Sequence, residues 1–106
     1  MNINEYLQNY KIIQSSKDYE FRKNAPRVVC ADGFNMSVQV SRNHYCSPRI
    51  DDAAAYSEAE VGYPSECEEL LMPFVEDSEN PTETVYGYVP VEIIDQVIIK
   101  HGGFQA

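Results

Sequence analysis

The dipeptide Asp32–Gly33 constrains the fold of this chain more than any other feature of its sequence. A two-residue hairpin turn of type I′ needs positive φ angles, and Asp-Gly is one of the pairs that adopt them most readily. The apolar segment Arg27–Ala31 precedes the dipeptide, and apolar residues alternate with polar ones from Phe34 to Val40. This alternation is typical of a strand with one buried and one solvated face. The sequence therefore predicts a β-hairpin around this turn.

Three further strands are predicted after the hairpin. Tyr45–Ser47 is a short one, ended by Pro48. Residues 55–63 form another, with an acidic outer face; Ala55, Ala59, Val61 and Tyr63 share one parity, and Tyr56, Glu58 and Glu60 share the other. Residues 84–89 are β-branched or aromatic except Gly87 and form the last strand, on which Tyr86 and Tyr88 share a face.

Helices are predicted at three places. Apolar residues at helical spacing indicate a helix over 3–13, and residues 14–26 form a loop or irregular arm. Ser65 and Glu68 have the spacing of a capping box, so a short helix begins there with Cys67 on its buried stripe. A third helix follows Pro90 and ends at Gly102–Gly103, with Lys100 and His101 in its last turn, where the helix dipole favours cations.

These elements predict an α+β fold, with a small antiparallel or mixed β-sheet packed with an N-terminal helix and two further helices. At 106 residues the chain has the size of one domain, 1–106, in which 1–26 form the N-terminal helix and irregular arm and 27–103 the core. If the strands at 55–63 and 84–89 are parallel, the helix between them is their right-handed crossover.

The charge of the chain is divided unevenly along its length. The net charge is −9, yet residues 1–49 contain seven Lys and Arg against four Asp and Glu. From Ile50 to Ile99 there are thirteen acidic residues and no Lys or Arg. These acids must face solvent, contact the basic half or meet a cationic partner.

The acidic half predicts a surface that binds another protein. A display of carboxylates can imitate the phosphates of a nucleic acid, so a nucleic-acid-binding protein is one expected partner, and a solvated face that serves solubility is the alternative. Tyrosines on the last strand could extend this surface, since Tyr adds contact area at low entropic cost. The predicted binding residues are Asp51, Asp52, Glu58, Glu60, Glu66 and Glu69 in the acidic surface, with Tyr86 and Tyr88 as its aromatic part.

Several functional classes are disfavoured by the sequence. The net charge would repel nucleic acid, so no direct binding to it is expected. The apolar runs are too short to cross a membrane, and the first residues lack the features of a secretory signal, so a cytoplasmic location is expected. No catalytic or cofactor-binding motif is visible, which predicts a non-enzymatic protein without a cofactor. The sequence is compatible with a homodimer as well as with a monomer.

The cysteines and histidines support an alternative function. His44 and Cys46 lie two residues apart, a spacing that places both on one face of a strand and would allow a small Cys/His-dependent enzyme. Cys30 and Cys67 could join them as metal ligands, but the closely paired spacing of structural zinc sites is missing, and both read better as small core residues. We expect all three cysteines to be free thiols.

Several short segments resemble a group of small proteins encoded by tailed bacteriophages and prophages. They are residues 32–39, 45–49, 60–65, 85–90 and 101–103, so the resemblance covers roughly 27–103. It implies an accessory protein acting inside a bacterial host cell, where small acidic phage proteins often bind and inhibit host factors, including immune nucleases of the CRISPR kind. The resemblance supplies no catalytic residues, and a structural or assembly component of the virion is a further alternative.

Overall fold

The computed structural model describes residues 1–106 and has an α+β fold, as predicted. Two α-helices, one 3-10 helix and six strands make up the structure. In chain order they are α1 (Ile3–Asn9), β1 (Ile13–Ser15), β2 (Glu20–Arg22), β3 (Val28–Val29), β4 (Asn35–Gln39), β5 (Glu58–Gly62), the 3-10 helix (Glu69–Phe74), β6 (Val85–Pro90) and α2 (Val91–Lys100).

The main sheet has four antiparallel strands in the order β3-β4-β5-β6. Alternate residues of β4 and β5 point to one face, where Val38 pairs with Val61 and both are fully buried. The buried residues of α1 and α2 belong to the same apolar core, which includes Leu7 and Ile94. The core therefore lies between this face of the sheet and the two helices.

The predicted hairpin is confirmed at the Asp32–Gly33 turn. Val28 pairs with Met36, and Gly33 has a φ of +97°, which a residue with a Cβ rarely adopts. One carboxylate oxygen of Asp32 accepts a hydrogen bond of 2.9 Å from the amide of Phe34, which tightens the turn. The dipeptide therefore forms the turn, but not as the two-residue type I′ turn predicted, because only Gly33 of the two residues has a positive φ.

The glycine stop after α2 is also confirmed. The amide of Gly103 donates a 2.8 Å hydrogen bond to the carbonyl of Ile98, and Gly102 has a φ of +92°. A Cβ at Gly102 would lie 3.0 Å from the Cβ of Ala31, so the helix end approaches the hairpin closely. The chain then returns along the edge of β3, where the amide of Gln105 donates to the carbonyl of Val29.

The predictions for the first 26 residues are only partly right. The helix ends at Asn9, four residues earlier than predicted, because the chain turns there into β1. Residues 14–26 are not wholly irregular, since β1 and β2 form a two-stranded antiparallel sheet. Arg22 on β2 is buried, and this tertiary contact has no counterpart in the local sequence pattern.

Two predictions about the middle of the chain are wrong, and the condition set for a third, that the two later strands are parallel, is not met. Residues 45–47 form no strand; Ser47 makes only an isolated bridge to Glu58. Tyr63 is exposed with a positive φ, whereas Tyr56, predicted to face outward, is buried because it precedes the strand. The two strands β5 and β6 are antiparallel, so no crossover joins them.

The helix predicted from Ser65 is a 3-10 helix that begins four residues later. Its N-cap is Glu68, whose side chain accepts a 2.9 Å hydrogen bond from the amide of Leu70. Cys67 therefore lies before the helix and is exposed, contrary to the buried position predicted for it. No helix in the structure combines the length and the apolar character needed to cross a membrane.

Candidate functional site

The predicted binding residues Asp51 and Asp52 make contacts within the chain. Oδ1 of Asp51 accepts a 2.9 Å hydrogen bond from the backbone amide of Arg42. Oδ2 of Asp51 lies 3.7 Å from the Nε atom of the same arginine. The Nζ atom of Lys11 lies 2.8 Å from Oδ1 of Asp52, and this hydrogen bond holds the pKa of Asp52 below its ordinary value. Cations of the first half therefore neutralise these two acids.

Glu58 and Glu60 lie on the outer face of the main sheet, which confirms the acidic outer face predicted for this strand. Both are half-buried and alternate with fully buried core residues of β5. Oε1 of Glu58 accepts a 2.8 Å hydrogen bond from Oγ of Ser47, and Oε1 of Glu60 accepts a 3.2 Å bond from the amide of Tyr45. These carboxylates hold the 45–47 segment against the sheet.

Glu66 and Glu69 belong to a set of acids that is free of such contacts. These residues are exposed, and their side chains make no salt bridge and accept no hydrogen bond within the chain. We call the acids of this kind between β5 and β6 the unpaired acids: Glu66, Glu69, Glu76, Glu79 and Glu83. Only the first two were singled out from the sequence, because ion pairing to distant residues decides which acids remain free.

The predicted pairing of Tyr86 and Tyr88 on one face is wrong. Gly87 and Tyr88 together oppose a single residue of β5, and this bulge turns Tyr86 into the core. Tyr86 is 0% exposed, and its hydroxyl donates a 2.6 Å hydrogen bond to the carbonyl of Pro81. It is therefore not available as a surface contact.

Tyr88 remains exposed and keeps an aromatic neighbour that the sequence did not indicate. It is 42% exposed, and its ring centroid lies 5.8 Å from that of Tyr45. The guanidinium of Arg49 lies over the Tyr45 ring at 5.3 Å from its centroid. Tyr45 and Tyr88 thus form an exposed aromatic pair with a cation beside it.

The arrangement of His44 and Cys46 offers little for thiolate chemistry. The Sγ atom of Cys46 is buried and donates to the carbonyl of Ser41 at 3.2 Å, and burial raises the pKa of this thiol. Burial lowers the pKa of His44, whose Nδ1 contacts the Ser41 hydroxyl. No hydrogen bond joins the imidazole to the thiol, and both pKa shifts favour the neutral forms.

No metal site is formed by these residues. The structure contains no group of three or more His, Cys, Asp or Glu side chains arranged to hold a metal ion. All three cysteines are free. Cys30 is buried as predicted, whereas Cys67 is exposed and its sulfur lies 3.7 Å from that of Met72.

A cluster around His101 brings together charges from three parts of the chain. Its Nδ1 lies 2.7 Å from Oδ2 of Asp32 in the hairpin turn, and its Nε2 lies 2.7 Å from Oε1 of Glu68 at the start of the 3-10 helix. The second oxygen of Glu68 lies 2.9 Å from Nζ of Lys100. The imidazole stacks on Phe34, with the ring centroids 4.1 Å apart. The sequence indicated only a dipole interaction for His101, because its partners are distant along the chain.

The electrostatics of this cluster favour an imidazolium held between carboxylates. Burial alone lowers the pKa of His101, but hydrogen bonds to Asp32 and Glu68 outweigh it and raise that pKa above its ordinary value. Burial alone raises the pKa of Glu68, yet hydrogen bonds from the Leu70 amide, His101 and Lys100 hold it below its ordinary value. Because both partners only accept, both ring nitrogens must carry hydrogen. Both ring nitrogens are engaged by carboxylates, so the cluster ties the hairpin turn and the 3-10 helix to the end of α2.

Comparison of this chain with protein-family models, curated proteins and solved structures found no match in any of the three. The resemblance to small phage proteins therefore stays a prediction. The features that remain for a functional proposal are the unpaired acids and the exposed aromatic pair.

Proposed function

We propose that this chain is a non-enzymatic accessory protein of a phage or prophage that acts by binding another protein inside the bacterial cell. The observation that carries this proposal is the set of unpaired acids, which lie exposed without any cation of the chain within salt-bridge distance. Exposed carboxylates without intramolecular partners attract a cationic surface and accelerate association with it.

The proposed partner is a host protein with a basic surface, such as a nucleic-acid-binding protein of a defence system. Carboxylates of the unpaired acids would occupy the positions that phosphates take on that surface and so block it. The exposed aromatic pair, Tyr45 and Tyr88, would give the partner a second contact, because tyrosine side chains lose little conformational entropy on binding. The protein would then act as an inhibitor.

Affinity capture tests this proposal. The tagged protein is incubated with bacterial lysate at low salt, and retained proteins are identified by mass spectrometry. We expect a basic protein to be retained by the wild type and lost with the triple variant Glu69→Gln, Glu79→Gln, Glu83→Gln. The matched control removes the same number of charges in the first half, through Glu5→Gln, Asp18→Asn and Glu20→Gln, and should retain the protein.

Two outcomes would count against this function. Retention of no protein by the wild type contradicts binding in the cell. Retention that falls equally in both triple variants shows that net charge alone is responsible, and then the unpaired acids have no special role. Co-purification of the chain with virus particles would instead indicate an assembly component.

A further inference from the structure

A groove that is apolar in its larger part runs beside the two α-helices and the C-terminal residues. It consists of two cavities of about 400 and about 190 Å³, and Met1 and Phe104 line both of them. We call it the Phe104 groove. Its main apolar lining consists of Met1, Tyr10, Val29, Ile98, Ile99 and Phe104.

The floor of the Phe104 groove is well ordered by packing. Phe104 follows the two glycines after α2, and the chain pairs there with Cys30 on the edge of the sheet. The Phe104 ring stacks on Tyr6 with centroids 5.2 Å apart, and Tyr6 contacts Tyr10 at 4.7 Å. A surface built on stacked rings keeps its shape before a partner arrives, which lowers the entropic cost of binding.

The walls of the Phe104 groove include the two most exposed large hydrophobic side chains of the chain. Ile99 is 74% exposed and Met1 is 64% exposed, the two largest values among the large hydrophobic side chains. Ile99 lies one helical turn beyond Asp95 on α2 and lines the larger cavity with it. Contiguous exposed apolar residues of this kind mark interaction sites on small proteins.

The polar side of the larger cavity is acidic. Asp95 lines it and makes no salt bridge; Oδ1 accepts a 2.8 Å hydrogen bond from the amide of Ile3. The pKa of Asp95 is raised above its ordinary value, mainly by burial and also by the negative charges of Glu92 and Glu5. The hydrogen bond from the Ile3 amide and the positive charge of the Met1 amino group lower it by less. The cation at the other cavity, Arg27, already donates to Asn35 and to the carbonyl of Tyr63. Three carboxylates, Asp95, Glu92 and Glu5, thus act here against one cation, the Met1 amino group, so the larger cavity carries a net negative charge that a cation of a partner would balance.

We propose that the Phe104 groove binds a cationic amphipathic segment of a partner protein. Apolar side chains of that segment enter the larger, apolar cavity, and a Lys or Arg side chain meets Asp95. This is helix-in-groove recognition with one charged anchor. A second copy of this chain is a poor occupant because both copies carry −9, and an anionic membrane is repelled for the same reason. The proposal shares no residue with the unpaired acids and does not depend on them.

Binding of a synthetic peptide tests the groove directly. The probe is a fluorescently labelled amphipathic helix of leucine and lysine, and its partner probe has glutamate in place of lysine; anisotropy is measured at near-physiological salt. We expect Ile99→Gln to weaken binding of the lysine peptide at least about tenfold and Asp95→Asn to weaken it several-fold. The controls are Ile12→Gln, an exposed apolar residue outside the groove, and Asp18→Asn, which removes the same charge outside both the groove and the unpaired acids. Both should change affinity less than about twofold.

Four outcomes of the peptide and sedimentation experiments would overturn the groove proposal. They are no binding of the lysine peptide, equal binding of both peptides, equal effects of groove and control variants, and a homodimer in sedimentation that Ile99→Gln disperses. Capture by anionic lipid vesicles that is lost with Ile99→Gln would also overturn it, by assigning the groove to a membrane surface. If Ile99→Gln is without effect while the Glu69, Glu79 and Glu83 triple variant loses its captured protein, the proposed function stands and only the groove proposal fails.

Discussion

Nε2 of His101 lies 2.7 Å from Oε1 of Glu68, and both side chains are buried although 33 residues separate them in the chain. Glu68 is 2% exposed and also caps the 3-10 helix, so one carboxylate ties this helix to the end of α2. Asp32 extends the same contact to the hairpin turn. The position of the segment between β5 and β6 therefore depends on this ion pair.

Removing the Glu68 carboxylate should destabilise the protein markedly. Glu68→Ala leaves the Leu70 amide without its capping acceptor and His101 with one carboxylate fewer. We expect a loss of about 3 kcal/mol in the free energy of unfolding, as for other buried ion pairs that lose one partner. Urea denaturation measures it. The neighbouring exposed variant Glu69→Ala should change stability by less than about 0.5 kcal/mol, and equal effects of the two would contradict the cluster.

The contribution of His101 to stability should depend on pH in a defined direction. Its pKa is raised above the ordinary value of 6.5, so its stabilising effect is complete below about 6.5 and is lost as pH rises through the folded-state pKa. The pKa of Glu68 is lowered from 4.5, so its effect is present above about 4.5 and is lost as pH falls through its folded-state pKa. Both contributions are present together between these two values.

Unfolding of wild type and His101→Gln across this range checks the direction. The stability difference between them should shrink steadily as pH rises above about 6.5. His44→Gln is the matched control, because the pKa of His44 is lowered and its contribution is instead lost as pH falls. A His101 difference that grows with pH would contradict a doubly protonated imidazole.

Arg22 should be essential to the packing of the N-terminal hairpin. This buried side chain donates 2.8 Å and 3.0 Å hydrogen bonds to the carbonyls of Leu7 and Asp51. Arg22→Met keeps much of the volume but leaves both carbonyls without a donor, so we expect a loss of roughly 2 kcal/mol. Thermal unfolding measures it, with the exposed Lys23→Met as control. A loss no larger than that of the control would show that β2 does not pack as described.

The two tyrosines of β6 should differ sharply in their effect on stability. Tyr86→Ala removes a fully buried ring and should cost about 3 kcal/mol or more. Tyr88→Ala removes a partly exposed ring and should cost less than about 1 kcal/mol. Chemical denaturation of both variants checks the bulge, and similar costs would favour the regular strand that the sequence predicted.

Thiol labelling tests the enzymatic alternative. Cys67 is exposed, whereas Cys30 and Cys46 are buried and burial raises the pKa of both thiols. A thiol reagent should therefore modify Cys67 rapidly in the native protein, and the other two only after unfolding. Cys67→Ser should abolish the rapid phase. Rapid labelling of Cys46 at neutral pH would instead restore the prediction of a reactive thiol served by His44.

The sequence predicted those elements that short stretches of chain determine. Asp32–Gly33 directs the first hairpin because Gly33 supplies the positive φ of the turn. The end of α2 is equally local, since two glycines follow its last apolar turn. Such features need no knowledge of distant residues, and the α+β fold class followed from them.

The features that the sequence predicted wrongly depend on contacts between distant residues. The bulge that buries Tyr86 arises from the pairing of β6 with β5, and no residue type in β6 indicates it. Glu68 looked like part of a capping box for a helix from Ser65, whereas its carboxylate is bound by His101 and Lys100. Asp51 and Asp52 were predicted to face a partner, but cations of the first half reach them. Which acids stay free could therefore be read only from the structure.

The most direct test of the proposed function is the affinity of the captured basic protein for purified variants of this chain. Titrations at low and at near-physiological salt compare the wild type with the two triple variants. We predict that neutralising Glu69, Glu79 and Glu83 weakens binding at least about tenfold and reduces its salt dependence, while neutralising Glu5, Asp18 and Glu20 has less than about a twofold effect. Equal affinities of the two triple variants at both salt concentrations would contradict a role for the unpaired acids.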